Sequence, residues 1–219
     1  MTSHKPTLLA RQDWIQASRF HDLSDQAVLR EVEARVSRQS GERPVVLLDL
    51  DSTLYEVGPR THQILREWAR SPLDSSAHAV QQIFHDLPHA SVGYSLRDTF
   101  HALKLDLERA DVQAAWNSAK EFWNRRFFTS AYLEYDHAYP GAAEFVHELY
   151  KRGAELIYLT GRDEPNMGDG TRMRLKRDGF PWEVDRTHLL MKAGSHLDDL
   201  AHKTEAAHYV RRQGKLVAS

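Results

Sequence analysis

Unbroken apolar runs alternate with amphipathic stretches along most of this chain. Residues 24 to 38 open on Ser24, a residue type that caps helix N-termini, and place Val28, Leu29, Val32 and Val36 at helical spacing. A turn-forming stretch, Ser40-Gly41-Glu42-Arg43-Pro44, then leads into Val45-Val46-Leu47-Leu48, a β-prone run suited to a strand covered on both faces. From about residue 59 to 138 apolar positions recur three and four apart, with breaks near Ser71-Pro72, Leu87-Pro88 and Ser91 to Ser95, and no convincing strand interrupts them. Beyond this stretch the pattern predicts a helix over about 141–151 and strand 156–159. Helix 171–178, strand 188–191, helix 200–212 and strand 215–217 follow.

Alternating strands and helices imply an α/β fold with a parallel sheet and helices on both faces. The expected organisation is an N-terminal helical segment over 1–40, an α/β core from 41–58 and 139–219, and a helical insert over 59–138. With 219 residues and 41% hydrophobic content, the chain has material for one core and a smaller body packed on it. A formal charge of −2, from 29 basic and 31 acidic residues, provides no field that would draw the molecule to nucleic acid or anionic lipid. Absence of cysteine excludes disulfides, thiolate metal sites and a cysteine nucleophile. The first residues lack a secretory pattern and no run is long enough to span a bilayer, so a soluble, cytoplasmic protein is expected.

Chemistry concentrates at Asp49-Leu50-Asp51-Ser52-Thr53, directly after the first strand. In an open parallel sheet the carboxyl ends of strands face the ligand crevice, so this strand delivers two acids to it. Two carboxylates so close are costly to bury unless a cation or a reaction uses them; a loop of acids capping a helix is the plainer alternative. In the chemical reading, Asp49 attacks a phosphoryl group, and Asp51 protonates the leaving oxygen and then activates water. Magnesium, a hard cation held by oxygen, would offset repulsion between carboxylate and phosphate.

A second strand, Leu156 to Leu159, runs into Thr160-Gly161-Arg162. Thr160 could donate to a phosphate oxygen and Gly161 would permit close backbone approach, although a strand followed by Thr-Gly is commonly a plain turn. Lys203, at the start of a predicted helix, could hold the same phosphate, where a lone lysine is ordinarily solvated. Ser52 and Arg162 stand as possible substrate contacts, while Arg162 and Asp163 could equally pair with each other.

In this order, Asp49 and Asp51, Thr160 and Lys203 resemble the first three motifs of the haloacid dehalogenase-like (HAD) superfamily. The resemblance covers about residues 45–219. It implies a Rossmann-like core with the helical insert as a cap over the site. Asp49 would be nucleophile and magnesium ligand, Asp51 general acid/base lending its backbone carbonyl to magnesium, and Thr160, Gly161 and Lys203 the phosphate site. The acid at Asp51 resembles the phosphatase branch, and Tyr158 to Asp163 with Gly179-Phe180-Pro181 and Leu190-Met191-Lys192 is similar to a group of bacterial HAD phosphatases. The family's fourth motif, an acidic loop completing the metal site, has no counterpart before Ser219, and Asp198-Asp199 follow no buried strand, so a fragment of a longer chain is expected. The implied function is magnesium-dependent hydrolysis of a small phosphomonoester; transfer to another acceptor, or a non-catalytic scaffold lacking the last motif, are the alternatives.

Other features read as structure. The thirteen histidines include no H-E-x-x-H and no convergent ligand set. Trp116, Trp123 and Phe127 form a helical stripe expected in the core of the insert, although such rings could also stack on a substrate. Gly168-Asp169-Gly170-Thr171 reads as a turn with Thr171 capping the next helix.

Overall fold

The computed structural model describes residues 24–38, 41–72 and 77–219. The expectations resting on residues 1–23 and 39–40, including that of no secretory leader, lie outside them. Strand β1 (Pro44–Asp49) is one of two inner strands of the sheet. It pairs in parallel with β4 (Glu155–Asp163) on one side and β6 (Lys215–Ala218) on the other, and β5 (Thr187–Lys192) adds outside β4, also parallel. The resulting order is β5-β4-β1-β6.

The side-chain period of a strand, two residues, divides these apolar runs between two layers. Val46, Leu48 and Leu50, with Leu156 and Tyr158, enter the larger cluster, packed by Val36 of helix α1 (Asp25–Arg38) and by Val146 and Leu149 of α6 (Ala142–Lys151). Leu175 of α7 (Glu164–Arg177) joins the same layer. Val45, Leu47 and Ile157 face the opposite side, against Tyr209 and Val210 of α8 (Asp199–Gln213). An unbroken hydrophobic run is therefore required in β1, because neither face meets water.

Between β1 and β4 the chain leaves and re-enters the sheet region through a two-stranded antiparallel ribbon, β2 (Tyr55–Glu56) with β3 (His137–Ala138). The intervening helices are α2 (Gly58–Ala69), α3 (His78–Ile83), α4 (Leu96–Ala102) and α5 (Ala110–Phe127). They bury a cluster of their own, including Leu65, Trp68, Phe84, Phe100 and Val112. Trp68, Phe84, Phe100 and Trp116 follow one another at centroid separations of 5.1, 5.0 and 5.2 Å, within the range of favourable aromatic pairing. The short strand at His137–Ala138 departs from the all-helical expectation for 59–138; a two-residue ribbon leaves no detectable alternation.

Two further expectations fail locally. The strand expected over 156–159 is longer than that and continues to Asp163, with a register shift against β5 between Leu159 and Asp163. Helix α7 starts at Glu164 rather than Thr171, because Asp163 accepts from the Asn166 N–H at 3.1 Å as N-cap and Pro165 occupies the first turn. Gly168 and Gly170 thus lie inside a helix. Their use is steric at Gly170, where a Cβ would sit 2.8 Å from Ser130 Cβ and 2.9 Å from its Cα. Ser130 opens a 3₁₀ turn, Ser130–Tyr135, that carries the chain back from the insert, and its Oγ accepts from the Gly170 N–H at 3.1 Å.

Gly170→Ala removes this close approach, and overpacking of that kind costs about 1–3 kcal/mol. Urea unfolding should show a lowered midpoint, whereas a gain of the size expected from helix propensity alone would contradict the steric account.

Candidate active site

Asp49 is the last residue of β1, at the carboxyl end of the sheet. The chain then folds back tightly: Leu54 and Tyr55 N–H groups donate to the Leu50 carbonyl at 3.0 and 2.9 Å, and the Ser52 N–H donates to Tyr55 at 2.8 Å. Ser52 adopts φ 61°, a left-handed conformation unfavourable for a residue with a Cβ and held here by those bonds. The turn carries Asp51 under the insert and leaves the Asp49 carboxylate exposed, with Thr53 Oγ1 donating to it at 3.2 Å.

A cavity of about 860 Å³ opens over Asp49, between the carboxyl end of the sheet and the insert. Of the residues singled out by sequence, Asp49, Asp51, Ser52, Gly161 and Arg162 line it. Thr160 does not. It is buried behind this wall, its hydroxyl accepting from the Arg162 N–H at 3.2 Å and its carbonyl 3.0 Å from His202 Nε2. Lys203, exposed on α8, is also outside the lining but near enough for its charge to act on Asp49. Lys192, at the end of β5, lines the cavity and was not singled out as a site residue.

The most constrained feature is an ion quartet. Arg162 Nε and Nη2 donate to Asp51 at 3.0 and 2.6 Å, and Nη2 also reaches Asp136 at 2.8 Å. Arg60 donates to both oxygens of Asp136 at 2.7 Å and to Asp51 at 2.9 Å. Arg60 and Asp136 are fully buried and Arg162 nearly so. Remaining donors are placed too: Arg60 Nη1 donates to the Phe127 carbonyl at 3.0 Å, and Arg162 Nη1 to Thr171 at 3.3 Å. Of the two expectations for Arg162, the pairing with Asp163 gives way to this arrangement, while its place in the cavity lining agrees with a position near substrate. Arg162 pairs with Asp51 and Asp136, and Asp163 caps α7. Asp198 likewise serves as a cap, accepting from Leu200 and Ala201 N–H groups.

Opposite electrostatic settings result for the two acids of the motif. Partial desolvation by the cavity walls pushes the Asp49 carboxyl above the ordinary aspartate range, and the nearby Asp51 adds to this; Thr53 and Lys203 pull the other way. For Asp51 burial acts upward, but the Arg162 and Arg60 guanidiniums outweigh it and hold the carboxyl below that range. Burial pushes Asp136 up against the pull of the same two arginines.

The sequence reading did not identify Arg60 and Asp136. Each is an isolated charge, at the first turn of α2 and in the link to β3, and nothing in its neighbours marks it as buried. The aromatic stripe is not simply core: Trp116, Trp123 and Phe127 all line the cavity, and Trp116 also packs against the insert's own core. Phe127 is stacked on Trp123 at 4.2 Å, and the Arg60 guanidinium lies 4.1 Å from its ring centroid. The described residues contain no group of three or more His, Cys, Asp or Glu arranged to hold a metal. No helix among them is long and apolar enough to cross a membrane.

Asp136→Ala leaves two buried guanidiniums short of an anion, a loss of about 3–5 kcal/mol by analogy with broken buried pairs. Asp51 makes a second, pH-dependent contribution. Its folded pKa is depressed, so its stabilisation is complete above the unfolded value of about 3.9 and disappears as pH falls through the lower folded value. Urea unfolding of metal-free protein between about pH 2 and 6 should show a shallower pH slope in Asp51→Asn than in wild type; identical slopes would refute the assignment.

Comparison with curated proteins finds no match. Among solved structures, a candidate phosphatase from Clostridium difficile is 15% identical with a TM-score of 0.45, over 78% of this chain and 72% of that one. Protein Tyrosine Kinase A from Mycobacterium tuberculosis is 16% identical with a TM-score of 0.40, over 80% and 70%. Neither likeness bears on activity. The family profile of the haloacid dehalogenase-like hydrolases matches residues 44–195, from the start of β1 to just beyond β5, and the chain belongs to that family.

Proposed function

We propose that this hydrolase cleaves phosphomonoesters through an aspartyl-phosphate formed on Asp49. The observation carrying the reading is the placement of an accessible carboxylate at the end of an inner strand, open to the cavity, beside a second carboxylate held fixed by two arginines.

In the first step an Asp49 oxygen attacks phosphorus while the ester P–O bond breaks, and the alcohol departs with a proton supplied by Asp51. In the second, water attacks phosphorus, Asp51 takes its proton, and the bond to Asp49 breaks, releasing phosphate and restoring both acids. The guanidiniums of Arg60 and Arg162 favour ionised Asp51, which assists the second step and opposes the first. Gly161 would let the phosphate approach the backbone, and Lys203 and Lys192 would contribute positive charge at the same end of the sheet. Ser52 would stand beside the phosphate at the cavity wall.

Magnesium fits the donors available in part. Asp49 presents a carboxylate only partly engaged by Thr53, and the Asp51 backbone carbonyl would be a second hard ligand. The Asp51 carboxylate is not suited to the ion, because both of its oxygens already accept from guanidinium groups. When bound, magnesium would offset the repulsion between Asp49 and an approaching phosphate. The insert, residues 59–138, would act as a cap over the site, excluding bulk water from the reacting groups.

Asp49→Asn keeps the shape of the side chain but removes the attacking charge. Phosphate release from phenyl phosphate should fall at least about a thousandfold while the circular dichroism spectrum is retained; near-wild-type turnover would end the proposal.

A further inference from the structure

A cavity of about 860 Å³ is much larger than a phosphate requires, and the aromatic part of its lining has a definite chemistry. The exposed Phe, Tyr and Trp side chains among the described residues are Tyr94, Phe128 and Tyr139, and all three line this one cavity. Tyr94 is 92% exposed. Exposure of that degree for an aromatic ring has an ordinary explanation on a loosely held loop, but its loop is tightly fixed. The Gly93 N–H donates to Thr99 Oγ1 at 3.0 Å, and a Cβ on Gly93 would lie 2.3 Å from Asp98 Cβ. On the other side of Tyr94, Ser95 and Asp98 form a reciprocal capping box at the start of α4, with bonds of 2.9 and 3.1 Å. The ring is thus presented, uncovered, from an ordered backbone.

Charge on the insert's side of the cavity is one-signed. Arg97 and Lys120 line it, both exposed and neither in an ion pair among the described residues, and no acid from α4 or α5 lines it. The acids of the cavity, Asp49, Asp51 and Glu56, all lie toward the sheet and the ribbon.

We infer that the substrate is a phosphomonoester whose alcohol carries a flat aromatic or heteroaromatic body and a second anionic group, the ring held by Tyr94 with Phe128 and Tyr139 and the second anion by Arg97 and Lys120. This assignment rests on the phosphatase reading for the position of the scissile phosphate. Tyr94, Arg97 and Lys120 are specificity residues in it and take no part in bond making.

Binding of non-hydrolysable phosphonates, followed by titration calorimetry, tests the inference without requiring turnover. Phenylphosphonate should bind about tenfold more tightly than methylphosphonate, as a ring contact of this type provides. In Tyr94→Ala the ratio of the two affinities should fall toward one. A carboxylate at the para position should tighten binding a further several-fold in wild type and leave it unimproved in the Arg97→Ala/Lys120→Ala double variant. Equal affinities for phenyl- and methylphosphonate, an unchanged ratio in Tyr94→Ala, or no binding of either ligand would overturn the proposal. Ring selectivity in binding with no phosphate released from phenyl phosphate would sink the hydrolysis reading instead, and hydrolysis without ring selectivity would sink this one.

Discussion

Four charges, the buried Arg60, Asp136 and Arg162 and the half-buried Asp51, fix the relation between the sheet and its helical insert. Each arrives on a different segment: the first turn of α2, the link into β3, the end of β4 and the turn after β1. Compared with apolar side chains of equal volume, buried ion pairs add little net stability, because both partners lose their hydration. A mismatched arrangement, by contrast, strands a charge in a medium that cannot solvate it. The quartet therefore acts mainly by selection among geometries. Positions of the insert that part Arg60 from Asp136 and Asp51 are penalised, while the two-residue ribbon alone would constrain it weakly.

The same quartet gives the two acids of the motif different characters. Asp49 and Asp51 are two residues apart on one turn, yet Asp49 opens to the cavity with its carboxyl pushed up, and Asp51 is tied to two guanidiniums with its carboxyl held down. Environments that move apart the affinities of neighbouring carboxyls for protons are the usual means of dividing chemical labour between them. Arg60 also stacks over Phe127, which stacks on Trp123. A continuous packed path consequently runs from the acid turn to the aromatic wall of the cavity.

Membership of the haloacid dehalogenase-like hydrolases names no substrate. In the proposed reading, selectivity resides in the surface facing the carboxyl end of the sheet. Here that surface comes from helices with a separate apolar core, so its contacts are free to vary while the sheet that positions Asp49 is unaffected. The pinned loop bearing Tyr94 is one such contact, and its rigidity comes from Gly93 and the Ser95–Asp98 box.

Much of the fold was readable in the chain itself. Strands buried on both faces leave unbroken apolar runs, and Val45 to Leu48 and Leu156 to Leu159 announce β1 and β4 for that reason; the position of Asp49 then follows from where β1 stops. Local rules failed where a residue's use is non-local. Gly168 to Gly170 resemble a turn, yet α7, capped at Asp163, runs through them, and glycine stands at 170 because the Ser130 segment packs there too closely for a Cβ. The Trp123 and Phe127 stripe reads as core because periodicity reports an apolar face without saying whether it meets protein or a cavity. Arg60 and Asp136 gave no signal, being 76 residues apart with no sequence neighbour that marks either as buried. Their burial was decided only by the tertiary structure, since a charge becomes tolerable in the interior when its partner arrives from elsewhere in the chain, and that meeting is a property of the folded molecule.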